Sequence, residues 1–321
     1  MDKRLKPCKD NLKTVVSIFS AGHCGSTLLS LLIGAHSNSF YAGEFHALPK
    51  WINDNNECGC GKRMAKCRFW EEIRTIYKKK YKLDIFINPK KLKVYEILNR
   101  DNTGIFSKRF YRSLSYYGTI NSLFSPIRYI AYYHWKRIVK NTINVYKIIN
   151  ELTNSIIIVD STKSYLRTYY FYKNYPELIK LIFLVRDGRA FCYSHKKNSK
   201  LSIESAAKTW KNTYFRGRRI LSQIPDENRF FIKYEDLCNN PEKQTKRIAR
   251  FLNIDYEPQM LNISSGVAHS IAGNEMKWNT NTRIKLIEDW KKGLSTKEIE
   301  KFELVAGDIN HQFGYPHFDQ Y

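Results

Sequence analysis

The sequence lacks any long hydrophobic run. Its first apolar stretch, Val15 to Phe19, is far shorter than the roughly 7 to 15 residues of a secretory-signal core, and Met1 to Lys13 before it is charged. No later run approaches the ~20 apolar residues that span a bilayer, so the expectation is a soluble, cytoplasmic chain with no membrane span. Internal repeats and low-complexity linkers are missing as well, which excludes a repeat architecture. The seven cysteines in 321 residues are an odd number in a long chain, which argues against a full disulfide framework and fits a reducing compartment.

Acidic residues are also in short supply, 30 against 54 Lys and Arg, leaving a formal charge of +24. The imbalance is concentrated: Ile73 to Asn150 holds 17 basic and three acidic residues, a net +14. Such a field favours anionic partners, among them nucleic acid, a membrane surface, an acidic glycan or a polyanionic nucleotide. Lys, Asn, Ile and Tyr are abundant everywhere, so compositional bias accounts for part of the charge. With 43% hydrophobic and 14% aromatic residues, the chain has ample material for a core and general disorder is excluded.

What is present is an alternation of strand-like and helix-like segments. Thr14 to Phe19 reads as a buried strand and Ser26 to Ala35 as a helix, with the small, flexible Ser20-Ala-Gly-His-Cys-Gly25 between them. The alternation resumes with strands at Ser155 to Val159, Leu178 to Val185 and Arg229 to Lys233. Helices are expected at Thr162 to Asn174, from about Gly188, at Ile203 to Ile224 and after Pro241. This predicts an α/β fold with a mainly parallel central sheet flanked by helices. A basic helical insertion at about 69 to 151, with helices near Phe69 to Tyr81, Pro89 to Asn99 and Ile120 to Glu151, interrupts a single domain of 1 to 321. From Asn279 onward the tail reads as two more helices ending near Gly314.

A loop such as Gly22-His-Cys-Gly25-Ser-Thr27 between a strand and a helix suits phosphate. Free backbone N–H groups and the helix dipole both face an anion placed there, and glycine lets the backbone approach closely. The alternative is an ordinary turn in which Ser26 caps the helix. The loop lacks the Lys of a Walker A motif, since Gly25 precedes Ser26, and this points away from ATP or GTP hydrolysis.

Gly22-His-Cys-Gly-Ser-Thr-Leu-Leu29, with Ile33-Gly-Ala-His36 after it, resembles the 5'-phosphosulfate loop and first helix of sulfotransferases that use 3'-phosphoadenylyl sulfate (PAPS). His23 and Cys24 stand where that family commonly has Arg and Ser. Leu184-Val-Arg-Asp-Gly-Arg-Ala-Phe-Cys-Tyr-Ser194 resembles its 3'-phosphate site, which implies phosphate contacts from Arg186 and Ser194. The alternative for Arg186 is a structural ion pair with Asp187. The resemblance covers Val15 to Ser37 and Ile156 to Tyr315, and implies a P-loop-NTPase-like sulfotransferase fold.

It further implies a PAPS donor held by Gly22, His23, Cys24, Gly25, Ser26 and Thr27 at one end and by Arg186 and Ser194 at the other, with no metal required. Tyr234, in Phe231-Ile-Lys-Tyr-Glu-Asp-Leu237, is expected near the adenosine. The loop Gly266 to Trp278 is expected to close over the nucleotide's 3' side, with Lys277 as its contact. Lys163, in Ile158-Val-Asp-Ser-Thr-Lys163, is placed to stabilise the leaving group. Glu44 is the candidate base for the acceptor hydroxyl, His46 is the rival base, and His23 is a further candidate catalytic group.

Cys58-Gly-Cys60 and Cys67 form an ambiguous cluster. A structural zinc takes four ligands, so His46 or a distant Cys would be needed as the fourth. A local disulfide or plain thiols rank ahead of that, and no metal is assigned. The acceptor is expected to bear a hydroxyl, and the charge of the insertion points to an acidic saccharide. Two other readings compete: a kinase with a degenerate P-loop, and a basic, aromatic-rich nucleic-acid binder built on Tyr77 to Lys147. No specific nucleic-acid signature supports the latter.

Overall fold

A computed structural model describes residues 11–95, 126–199, 201–266, 269–278 and 283–317. Five strands form one parallel sheet: β1 (Thr14–Phe19), β2 (Ser39–Gly43), β3 (Ile157–Asp160), β4 (Ile179–Val185) and β5 (Arg229–Lys233), in the order β2-β3-β1-β4-β5. Apart from its first residue β1 is fully buried, as a strand covered by helices on both faces must be. The predicted α/β class with a parallel central sheet therefore forms. β2 was not delimited in the sequence, because its five residues include Ala42 and Gly43 and show no alternation.

The helix α1 (Ser26–Gly34) follows β1. The helices α2 (Leu48–Asn53), α3 (Arg68–Tyr81) and α4 (Pro126–Thr153) come between β2 and β3. Residues of α3 and α4, among them Trp70, Ile73, Trp135 and Tyr146, share an apolar cluster with Val15 and Ile158 of the sheet. Two expectations change here. Only a 3-10 turn, Pro89–Leu92, forms in the expected helix Pro89 to Asn99, whose last four residues lie outside the described residues. Residues 120–125 of the other expected helix are also outside them, and its described part runs to Thr153.

After β3 come α5 (Tyr165–Asn174), then β4, α6 (Gly188–Ser199), α7 (Ile203–Leu221), β5, α8 (Tyr234–Asn239) and α9 (Pro241–Phe251). The helix α5 begins three residues later than predicted because Ser164 caps it, its side chain accepting from the Arg167 N–H. The tail forms three short helices where two were expected, α10 (Trp290–Gly293), α11 (Thr296–Phe302) and α12 (Asp308–Gln312), the last two joined by a π turn at Glu303–Gly307.

At the end of β3 the fully buried Asp160 organises its surroundings. Its carboxylate accepts from Tyr146 Oη at 2.8 Å, from Arg167 Nε at 3.1 Å and from the Thr162 N–H at 2.9 Å. Arg167 donates onward to the Val94 carbonyl at 2.6 Å and to Thr142 Oγ1 at 3.2 Å. One carboxylate thus ties α4, the turn after β3 and α5 together. Removing it leaves a buried guanidinium unpaired, a change that costs about 3–5 kcal/mol in comparable sites. Asp160→Ala is expected to lose that much stability in urea titrations, and a loss below about 1 kcal/mol would contradict this account.

Candidate active site

Beyond the carboxyl ends of the strands lies a cavity of about 550 Å³, where ligands of open parallel sheets bind. All five strands deliver wall residues just past their ends: β1 the loop to α1, β2 Glu44, β3 Lys163, β4 Arg186 and β5 Tyr234. Gly22, His23, Gly25, Ser26, Thr27 and Ser194 line the same cavity. Residues predicted from distant parts of the sequence are therefore brought together.

The loop after β1 turns through two left-handed residues, His23 (φ 56°) and Gly25 (φ 89°). Gly25 precedes α1 without any side-chain cap, so Ser26 is not the cap. The first-turn N–H groups of a helix have no partner within it, and here they and the positive end of the dipole lie at the cavity wall. A Cβ on Gly25 would come within 2.4 Å of Tyr234 Cδ2, so both conformation and packing demand glycine. Cys24, unlike its neighbours in the loop, does not line the cavity. Its thiol is buried in the apolar cluster beneath the loop, beside Tyr214, and burial pushes its pKa up to about 11. Only its backbone is available to a ligand.

Arg186 is buried at the strand end, not paired with Asp187. It donates from Nη1 to the His23 carbonyl at 2.9 Å and from Nη2 to the Ile287 carbonyl at 2.7 Å, with its guanidinium 4.4 Å from the centre of the Tyr234 ring. Its buried Nε has no partner among the described residues. Asp187 pairs instead with Arg189, at 2.7 Å, and Arg189 lies 4.6 Å over the ring of Trp290, a further cavity residue. Ser194 Oγ donates to the Ala190 carbonyl at 3.0 Å, with Lys197 three residues on, on the same face of the helix.

On the opposite side, Glu44 and Lys163 form an ion pair. Gly43 carries φ 87°, and a Cβ there would lie 1.9 Å from the Ile271 carbonyl oxygen. That close approach lets the Glu44 N–H donate to the same carbonyl at 3.0 Å. The rival base His46 is half-buried and does not line the cavity. Its N–H reaches Thr162 Oγ1 at 3.4 Å, and its Nδ1 has no partner among the described residues. His23 packs edge-on to His195, ring centres 5.3 Å apart. Its burial, then the charges of Lys163 and Arg186, depress its pKa, with Glu44 opposing.

The segment 269–278 reaches the cavity through Gly273, Asn274 and Met276, and the Asn274 N–H donates to Thr27 Oγ1 at 3.4 Å. This places it beside the loop after β1. The Arg186 side is covered instead by Ile287, Asp289 and Trp290, which the sequence reading did not single out. Lys277 lies in the 3-10 turn Glu275–Trp278, and its side chain is outside the described residues. Of the missed residues, Lys197 had a usable signal in its spacing from Ser194; Asp289 and Trp290 had none.

A strand–loop–helix turn, an arginine at a neighbouring strand end and a carboxylate–lysine pair thus face one cavity at the carboxyl ends of a parallel sheet. A model of the sulfotransferase family matches residues 16–258, and the chain belongs to that family. The fold is similar to that of the sulfotransferase domain from the curacin biosynthetic pathway, at 18% identity over 95% of this chain and 99% of that one, TM-score 0.51. It is also similar to the sulfotransferase domain of the Synechococcus PCC 7002 olefin synthase, at 14% identity over 99% and 100% of the two chains, TM-score 0.56. Among the described residues no helix is long and apolar enough to cross a membrane.

Burial lowers the pKa of His23, His46, His134 and His195. Below about pH 6.5 the unfolded chain then binds more protons than the folded one, so stability falls as pH falls. The buried Glu235, whose pKa is raised, gives the opposite slope but is a single group. The melting temperature is expected to drop between pH 7.5 and 5.5, and less steeply in His46→Asn. A flat profile would contradict the burial of these rings.

Proposed function

We propose that the protein transfers a sulfuryl group from PAPS to an acceptor hydroxyl. The reading rests on one observation: the loop after β1, Arg186 with Ser194, and the Glu44–Lys163 pair all face a single cavity. A donor phosphorylated at both the 5' and 3' positions needs two anion sites. Gly22 to Thr27 at the N-terminus of α1 form one. Arg186, whose buried Nε lacks a partner among the described residues, forms the other with Ser194. Tyr234 presents a ring beside the guanidinium and against Gly25, a suitable wall for the adenosine. Lys277 is the candidate contact from the closing segment.

The donor supplies the sulfuryl group and departs as 3',5'-adenosine bisphosphate. Glu44 accepts the proton of the acceptor hydroxyl, and its contact with Lys163 keeps a cation beside the reacting centre to offset charge developing on the leaving phosphate oxygen. His23, neutral at pH 7 because burial and two neighbouring cations disfavour its charged form, contributes a hydrogen bond where the family pattern commonly has an arginine's charge. On this reading the neutralising groups are Lys163, Arg186 and the helix terminus, and no metal takes part in the transfer. The net +14 of residues 73–150 favours an anionic acceptor, an acidic saccharide being the leading candidate.

In magnesium-free buffer, 3',5'-adenosine bisphosphate should raise the melting temperature, whereas ATP with magnesium should not. The reverse ranking would favour a kinase. Glu44→Gln should lower kcat by about 10²–10⁴-fold while leaving bisphosphate binding intact; full turnover would refute the assignment of Glu44 as the base. Arg186→Lys should weaken bisphosphate binding by about 10- to 100-fold, the worth of a charge-assisted hydrogen bond. With labelled donor, anionic saccharides should be sulfated in preference to neutral phenols, and exclusive use of the phenols would refute the acceptor assignment.

A further inference from the structure

Outside the cavity, four side chains of the kinds that ligate metals meet, and the transfer reaction uses none of them. Cys58, Cys60 and Cys67 come from one short segment, and the fourth group is His269, neither His46 nor another cysteine. All four ligand atoms lie within 4.8 Å of one another. Cys67 Sγ is 3.7 Å from Cys58 Sγ and 3.7 Å from Cys60 Sγ. His269 Nδ1 is 3.4 Å from Cys67 Sγ and 3.6 Å from Cys58 Sγ. Zinc–sulfur bonds of about 2.3 Å and zinc–nitrogen bonds of about 2.0–2.1 Å give tetrahedron edges of roughly 3.8 Å between sulfurs and 3.5 Å between sulfur and nitrogen. The four separations above lie within about 0.1 Å of those edges.

We infer that Cys58, Cys60, Cys67 and His269 form a structural zinc site of the Cys₃His type. A disulfide would use two of the sulfurs and leave the third sulfur and the imidazole unexplained. Here Cys67 Sγ is equally distant from the other two sulfurs, and a ring nitrogen completes the set. Thiolate and imidazole donors in a four-ligand set suit zinc, and four protein ligands leave no open position for chemistry.

The surroundings hold the ligands in place. The Cys58 N–H donates to the Lys62 carbonyl at 2.8 Å and the Gly61 N–H to the Cys58 carbonyl at 2.9 Å, closing the turn that carries Cys58 and Cys60. Cys67 sits at the N-cap of α3. The His269 ring is stacked on Phe69, centres 4.4 Å apart at 11°, and its carbonyl accepts from Trp70 Nε1 at 3.3 Å.

The site's position gives it a purpose. Cys67 and His269 are 202 residues apart in sequence, so one ion closes a very long loop. Next to His269, the Ser270 carbonyl accepts from the Gly59 N–H at 2.9 Å, and the Ile271 N–H donates to the Ala42 carbonyl at 3.2 Å. The metal therefore fastens the segment that runs on to Gly273 and Asn274 at the cavity, beside the strand end that carries Glu44.

Metal analysis of the full-length protein purified under reducing conditions should find about one zinc per chain. Replacement by cobalt(II) should give the visible bands of tetrahedral coordination and sulfur-to-metal charge transfer. Cys60→Ser, at an exposed position, and His269→Ala should each reduce bound zinc severalfold. The inference is overturned if the reduced wild-type protein carries no zinc and takes up neither zinc nor cobalt, or if peptide mapping finds two of the three cysteines joined as a disulfide. None of these readouts depends on sulfuryl transfer.

Discussion

Burial of the Asp160 carboxylate is the constraint on which the rest of the structure depends. A charge at zero exposure must be met on every side, and the groups that meet it come from α4, α5 and the turn after β3. Satisfying one oxygen pair thereby settles where the inserted helices sit on the sheet and how the chain leaves β3. Lys163, three residues beyond, has a positive φ of 64°, and the fixed turn directs it to Glu44. Such a buried pair adds little stability compared with apolar packing. Its contribution is positional, because it joins α4, α5 and the turn after β3 at one point.

The two arginines of the β4 end show how preorganisation is divided. Arg189 is fully buried and committed to Asp187 and the face of Trp290, which holds the tail against α6. Arg186 spans the loop after β1 and the segment at Ile287 through two carbonyls, and rests on Tyr234. Both walls of the cavity are thus set by guanidinium contacts made before any ligand arrives. Dipoles fixed in this way cost no reorganisation when charge develops nearby.

Much of this was legible in the sequence because it is local. A run such as Thr14 to Phe19 can be little other than a buried strand, and β5 fell on its predicted residues. The small residues before Ser26 identified a loop that lines the cavity. The motif around Arg186 and Ser194 marked the second half of the cavity. What stayed hidden depends on distant partners. Nothing near Cys24 says that its side chain turns inward towards Tyr214. Cys58, Cys60 and Cys67 show three ligands, but the fourth lies about two hundred residues downstream and becomes a neighbour only when Ile271 bridges to Gly43. Trp290 enters the wall through Arg189, a contact with no counterpart in sequence spacing.

β2 is an outer strand of the sheet, with β3 on one side only. An open edge exposes unpaired N–H and C=O groups that invite another chain to add a strand. Ile271 takes that place with a parallel bridge at Gly43, its N–H and carbonyl both engaged by the β2 end. The segment that shapes the cavity therefore also acts as a guard, closing the exposed margin of the sheet at its functional end to self-association.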